Sequence, residues 1–246
     1  PQPLLSTEEL DDVSNMEFEY GVHPYYGTGE VRALETIKQS ITTHRGCFGN
    51  CNFCSIAVHQ GRSVVSRSER SIMKEAARIA RKPGFNGIIY DIGGPTANMY
   101  GATCDKGWRC AGKHCLTPRI CPNLKFGHKE QMNLLQKLAG VPGVKKVFVS
   151  SGIRHDMVVA DRENGKSYVE QLVKHHVSGQ IKLAPEHCED DVLALMNKPS
   201  IQSLMRFKSL FDSACDASGK QRFLTYYLIA AHPGCTLKHM QALRDF

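Results

Sequence analysis

Three cysteines fall within eight residues, Cys47-Phe48-Gly49-Asn50-Cys51-Asn52-Phe53-Cys54, spaced C-x3-C-x2-C directly after a short apolar run opened by Ile41. Thiolates this close repel one another unless a soft metal centre takes up their charge, and thiolate donors select iron–sulfur clusters, zinc or copper(I). Ferredoxin-type clusters take four cysteines. Three close ones suggest a cubane with one iron left open to a non-protein ligand. A zinc knuckle with its fourth ligand elsewhere, or a chance cluster in a loop, are the competing readings. Gly46, Gly49 and Asn50 tolerate positive φ and would let the chain wrap a bulky inorganic core.

The rest of the chain suits such a loop. At 246 residues it is within the range of one α/β barrel and can bury a full core. From residue 39 onward, apolar runs of strand length (Ile41–His44, Gly87–Ile92, Lys146–Ser150, Gln180–Ala184, Phe223–Ala231) alternate with helical patterns. That alternation marks βα units with parallel strands. A capping box Ser66-x-x-Glu69 opens the first helix, with Ile72, Met73, Ala76, Ile79 and Ala80 as its apolar stripe. The second is expected over 128–139 with Met132, Leu135, Leu138 and Ala139 inward, and the third near 168–176. Two more pieces break at Pro199, the longer burying Leu204, Phe207, Leu210, Phe211 and Ala214. Right-handed crossovers would wind these into an open, partial parallel (β/α) barrel over 39–246, after a lead-in segment over 1–38. The chain opens on Pro-Gln-Pro and stops inside a helical pattern, so it is expected to be an excerpt of a longer protein.

Between Pro95 and Phe126 the periodicity vanishes, and four further cysteines appear: Cys104, Cys110, Cys115 and Cys121, spaced C-x5-C-x4-C-x5-C. A long irregular loop rich in cysteine reads as a functional insertion over 95–126. Lys106, Arg109, Lys113, Arg119 and Lys125 oppose one acid, Asp105, a setting that lowers thiol pKa values and offsets a tetrathiolate centre. An auxiliary iron–sulfur cluster, echoed by Cys121-Pro122, and a tetrahedral zinc site are the two fillings. With Trp108 for stacking, the same loop could grip RNA. Ten cysteines without a secretory signal argue for a reducing, cytoplasmic setting rather than disulfides, and no apolar run is long enough for a membrane span. The net charge of +7 is moderate and does not by itself select a partner.

The octapeptide, with Phe53 between its last two cysteines, resembles the cluster loop of the radical S-adenosylmethionine (SAM) superfamily. The flanks Thr42-Thr43-His44-Arg45-Gly46 and Ser55-Ile56 through Arg62 resemble the YgiQ-like branch. The resemblance implies an oxygen-sensitive enzyme with a 4Fe-4S cluster on Cys47, Cys51 and Cys54. Its open iron is chelated by SAM, and an external one-electron reductant of flavodoxin or ferredoxin type supplies the cluster. Reductive cleavage of SAM then yields a 5′-deoxyadenosyl radical that abstracts hydrogen from a substrate the sequence does not reveal. It implies a six-stranded core, the last strand lying past Phe246.

In a parallel array, ligands bind at the carboxyl ends of the strands. Gly93-Gly94-Pro95 resembles the superfamily's Gly-Gly-Glu motif, with proline in place of glutamate. Ser151 and Arg154 follow the third strand, and Arg154 could pair bidentately with the SAM carboxylate. On the fourth strand, Ile181 and Leu183 would face the helices and Lys182 and Glu186 the interior, for SAM or substrate. Ala231-His232-Pro233-Gly234-Cys235-Thr236 resembles the turn near the adenine, with Thr236 capping the next helix. Phe53, Gly93, Gly94, Pro95, Ser151, Arg154, Lys182, Glu186 and Ala231 are thus the candidate SAM contacts. A non-catalytic iron–sulfur electron carrier and a zinc-stabilised nucleic-acid-binding module are the alternatives.

Overall fold

Backbone hydrogen bonding in the computed structural model of this protein, which describes residues 3–26, 31–107, 110–112 and 114–246 (the side chains of 35 and 36 excepted), alternates strand and helix from residue 40 onward. Helices α1 (Thr7–Asn15) and α2 (Arg32–Ile37) precede β1 (Ser40–Thr42) and β2 (His44–Arg45). The cysteine loop then leads into α3 (Ile56–Gln60), β3 (Val65–Ser66) and α4 (Glu69–Ala80). Strands β4 (Ile88–Ile89) and β5 (Asp91–Gly93) are followed by the insertion, which carries β6 (Thr103–Cys104) and β7 (Leu124–Lys125). Next come α5 (Lys129–Ala139), β8 (Lys146–Val147), α6 (His155–Ala160) and α7 (Gly165–Gln171), the last running on into a wider π turn over Leu172–His176. Strand β9 (Gln180–Glu186), α8 (Asp190–Leu195), α9 (Ile201–Ser218), β10 (Phe223–Leu228) and α10 (Leu237–Asp245) complete the described elements.

Parallel pairing follows chain order. Ile41 of β1 lies opposite Ile92 of β5, and Ile89 of β4 opposite Val147 of β8. β4 and β5 act as one strand, since Tyr90 N donates to Gln39 O on one side and Ile92 N to Phe148 O on the other. A parallel bridge joins Ile153 to Leu183, and β9 pairs with β10 in register Leu183–Tyr226. Among the described residues no pairing closes β10 back onto β1, so the array is an open parallel one, as expected.

The helices bury their stripes against this array. Ile72, Ala76 and Ile79 of α4, Leu134, Leu135 and Leu138 of α5, Tyr168 and Val169 of α7, and Phe207 and Phe211 of α9 share one core with Ile41, Ile92, Ile181 and Leu183. Fully burying each large apolar side chain contributes roughly 1.5–3 kcal/mol.

Several local expectations need correction. The N-cap of α4 is Ser68, whose side chain accepts from Ser71 N, and not Ser66. Ser66 is engaged elsewhere, paired with His44 in β3 and accepting from Gly101 N at 2.9 Å. The stripe of α5 is set a little earlier than expected: Leu134 is buried and Ala139 exposed. Leu210 is only half-buried on α9, and the strands at 146 and 223 stop at Val147 and Leu228.

Candidate cluster and cofactor site

The cysteine loop leaves the array just past β1 and β2, on the strand-end side that the parallel arrangement reserves for ligands. Gly46 makes the turn at φ +82°, where a Cβ would fall 2.0 Å from Ser63 O, so no other residue fits. Gly49 and Asn50, expected to share that role, do not adopt positive φ. Gly49 is small for a different reason: a Cβ there would lie 3.2 Å from both the Cys47 Sγ and the Arg154 Nη1. The loop is pinned from outside by the end of α8. Asn52 N donates to Met196 O at 3.0 Å, Asn52 Nδ2 to Leu195 O at 2.7 Å, and Asn197 Nδ2 to Asn50 O at 2.7 Å. Phe53 meets His232 edge-on at 6.5 Å between centroids, which brings the loop against the turn after β10.

Cys47 and Cys51 share surroundings. Cys47 Sγ accepts from Gly49 N at 3.3 Å and lies 3.7 Å from Thr96 Oγ1, and burial pushes its thiol pKa up. Arg154 Nη1 lies 3.8 Å from Cys51 Sγ. The rest of that guanidinium is already committed: Nε donates to Asp156 Oδ1 at 2.8 Å and Nη2 to Asp156 Oδ2 at 2.6 Å. In this structure the bidentate partner of Arg154 is Asp156, which occupies the fork that the sequence offered to a SAM carboxylate. Burial works against both charges, yet each holds the other ionised, Asp156 below its ordinary value and Arg154 above its own, with the thiols of Cys51 and Cys47 adding to the latter. A fixed cation thus faces a pair of thiols, which suits an anionic thiolate-bound group.

A second charged pair adjoins the first. Lys198 Nζ lies 3.8 Å from Glu186 Oε1, both side chains buried. Burial and the nearby Arg154 lower the Lys198 pKa, with Cys51 and Glu186 opposing, while burial raises that of Glu186. Glu186 holds φ +74°, a strained backbone for a non-glycine residue at the end of β9. Lys182 is half-buried on the same strand, between Ile181 and Leu183, which are fully buried as expected. Asp156, Lys198 and Thr96 carried no sequence signal. An Arg-x-Asp pair and a lysine after a helix are common, and only the fold brings them to one place.

The glycine pair after β5 is occupied by packing. A Cβ on Gly93 would fall 2.5 Å from Ser151 Oγ, and one on Gly94 2.6 Å from the ring of His44. In this structure these glycines admit side chains of the protein, where the sequence suggested admission of a ligand. Ser151, also expected to face SAM, donates its hydroxyl to Asp91 Oδ2 and its amide to Asp91 Oδ1 at 2.9 Å. Pro95 is half-buried beside buried Thr96. Ala231 is exposed at φ +55°, its amide against Met240 Sδ at 3.2 Å, and Thr236 caps α10 by accepting from His239 N at 3.4 Å.

The insertion is folded around a small apolar cluster. Phe48 of the cysteine loop, Val64, Met99, Ala102, Leu116, Leu124 and Met157 form it, and Cys47, Cys104, Cys115 and Cys121 pack against it. Trp108, Arg109 and Lys113, expected to supply stacking and charge, lie outside the described residues. Lys125 is paired with Asp105 at 2.7 Å on the surface. All ten cysteines are free thiols. Among the described residues, no three His, Cys, Asp or Glu side chains converge tightly enough to hold a single metal ion. No helix there is long and apolar enough to cross a membrane.

An open parallel array with a three-cysteine loop at its ligand-binding end defines a class, and the class has a family model. The chain belongs to the radical SAM superfamily, whose model matches residues 41–246. Along its whole length it is similar to UPF0313 proteins. It is 50% identical over 250 residues to one from Fusobacterium nucleatum, covering 100% of this chain and 44% of that protein. It is 44% identical over 249 residues to one from Methanosarcina mazei, covering 100% of this chain and 39% of that protein. The chain therefore spans less than half the length of these relatives. Its fold is similar to that of the cobalamin-dependent S-adenosylmethionine radical enzyme OxsB (TM-score 0.56, 15% identity, 87% of this chain and 27% of that one). It is also similar to the radical S-adenosylmethionine methyltransferase TsrM of Kitasatospora setae, solved with tryptophan substrate and a SAM analogue (TM-score 0.52, 14% identity, 84% and 32%).

Proposed function

We propose that this chain is the catalytic core of a radical SAM enzyme, with Cys47, Cys51 and Cys54 as the protein ligands of its 4Fe-4S cluster. The observation that carries the reading is the buried Arg154 cation, clamped by Asp156 and presenting Nη1 to Cys51 Sγ at 3.8 Å. The donor set fits a cluster: three thiols in one loop, a neighbouring guanidinium that offsets negative charge, and a hydroxyl from Thr96. Held by Cys47, Cys51 and Cys54, the cluster would supply the one-electron reducing power for SAM cleavage and radical hydrogen abstraction.

The chain's own residues bind and orient. Asp156 holds Arg154 so that its charge stays at the thiols, and Asn52 and Asn197 tie the loop to the helix behind it. Thr96 orients Cys47. SAM would lie over the strand ends, with Phe53, Gly93, Gly94, Pro95, Ser151, Lys182, Glu186 and Ala231 as candidate contacts. Among these, Lys182 and Glu186 are best placed to meet its charged groups, being on the strand next to the site. The electron would come from an external flavodoxin- or ferredoxin-like donor, and the protein would work in the cytoplasm. The substrate, and any nucleic-acid contact through the insertion, belong to the whole protein.

The test is anaerobic. The chain, and in parallel a full-length UPF0313 relative, is reconstituted with iron and sulfide and mixed with dithionite and SAM. Release of 5′-deoxyadenosine, abolished in Cys51→Ala, is the expected result. A reconstituted full-length protein that releases none, and whose cluster spectrum is unchanged by SAM, would overturn the reading in favour of an electron carrier.

A further inference from the structure

A cleft of about 610 Å³ lies between the insertion and the turn that joins α8 to α9. The sequence sets the turn. Asn197 takes φ +56°, a left-handed backbone that asparagine tolerates. Its amide donates to Ala194 O at 3.1 Å and that of Lys198 to Leu193 O at 2.9 Å, the paired bonds that close a helix end, and Pro199 stops any continuation. The reversal turns Lys198 inward, where its side chain is 6% exposed and lines the cleft.

The walls are apolar at Leu116, Ile120 and Leu193, with exposed Arg119 on the insertion side. Ser200 and Ser203 bring the first turn of the 18-residue α9 to the opposite side, where the helix end adds positive potential. The acids in the lining are already engaged. Both Asp156 oxygens accept from Arg154, and Asp190 Oδ1 accepts from Ile201 N at 2.8 Å. Lys198 is held more loosely: an ammonium carries three donors, and Glu186 Oε1 stands 3.8 Å off, beyond hydrogen-bond reach. A buried cation facing a cleft in this state is stabilised by an acceptor that enters it.

The cleft is also tied to the cysteine loop. Asn197 accepts the Thr117 hydroxyl on its side-chain oxygen at 2.5 Å and donates Nδ2 to Asn50 O at 2.7 Å. Asp156 clamps the guanidinium that reaches Cys51. A molecule seated here rests against the groups that hold the loop. The volume is that of a small-molecule site, for which roughly 300–1,000 Å³ is usual.

We propose that this cleft seats the substrate, a small organic anion whose carboxylate or phosphate is held by Lys198 and whose apolar body lies against Leu116, Ile120 and Leu193. Its role as substrate rests on the radical SAM reading; the binding of an anion does not.

Phenyl phosphate, benzoate and the neutral benzyl alcohol are titrated by calorimetry into the anaerobically reconstituted chain, and 5′-deoxyadenosine release is followed with and without each. At least one anion is expected to bind at a single site while the alcohol does not, and the two anions separate phosphate from carboxylate recognition. Lys198→Met should weaken binding by about tenfold or more, as loss of a hydrogen bond to a charged group does. Ser203→Asp sets a like charge in the cleft and leaves the Lys198–Glu186 pair whole; it should weaken binding likewise, and it decides the matter if Lys198→Met does not fold. The bound anion should also change the rate of 5′-deoxyadenosine release, and do so less in Ser203→Asp. Binding of neither anion, equal binding of the alcohol, or binding indifferent to the substitutions would overturn the proposal. An anion that binds through Lys198 without altering release overturns its role as substrate. If the anion binds through Lys198 while neither the chain nor a full-length relative cleaves SAM, the proposed function fails and the cleft stands as an anion site alone.

Discussion

Arg154 is the residue on which most of the site's electrostatics turn. Its guanidinium is forked onto Asp156 and aimed at Cys51, and both partners are largely buried. Removing one half of a buried pair strands the other, which typically costs about 3–5 kcal/mol, whereas replacing both by apolar groups can be close to neutral. Arg154→Met should therefore lower chemical-denaturation stability by about that amount, and Arg154→Met/Asp156→Leu should recover most of the loss. A double variant as unstable as the sum of the two single ones would show that the pair is not coupled. None of this was legible in the residues 150–156 read as a string. The motif offered Arg154 to a ligand carboxylate, because nothing in the string marks the acid two positions on as its clamp. The place of the cysteine loop was legible, since its three residues are grouped by spacing within one segment after a strand.

At the scale of elements, helices α4, α5 and α9 follow from apolar periodicity with errors of a residue or two. Those errors have causes. Two serines stand two positions apart before α4; pairing with His44 claims Ser66 and leaves Ser68 to cap. The glycine pair after β5 was legible as a demand for small residues but not as to what fills the space. His44 in β2 and Ser151 in the loop after β8 reach it from dozens of residues away, and no local pattern encodes that. Gly94→Ala should accordingly destabilise by about 1–3 kcal/mol through overpacking, and adding His44→Ala should relieve part of the strain. Thermal melts of the two variants check this; a Gly94→Ala protein that melts like the wild type would mean that the ring moves aside freely.

Across the whole molecule, pH acts through imidazoles the fold keeps neutral. Burial lowers His44 and His155 from 6.5 to about 4 each. In that interval the unfolded chain binds protons that the folded one refuses, so stability is full above about pH 6.5 and is lost as pH falls toward 4. The two together should remove on the order of a few kcal/mol across that window. Guanidinium denaturation at pH 7.5 and pH 5 measures it, and a midpoint unmoved between them would mean that these rings are accessible to water in the fold. This coupling could not be read from the sequence, where eleven histidines look alike and only burial separates them.

The residues ahead of the family match are bonded to the first βα unit inside it. Thr7 Oγ1 donates to Ser66 O, and Asp11 receives both the amide and the hydroxyl of Ser68, the residue that caps α4. Arg78 donates to the carbonyls of Ser14, Asn15 and Met16, and Lys82 to that of Glu19. A recombinant fragment begun at residue 41, where the match starts, would cut away the acceptors for two cations and the carboxylate at a helix start. Anyone trimming this protein for expression should place the boundary before the first helix, because the folding unit is larger than the stretch that the family model matches.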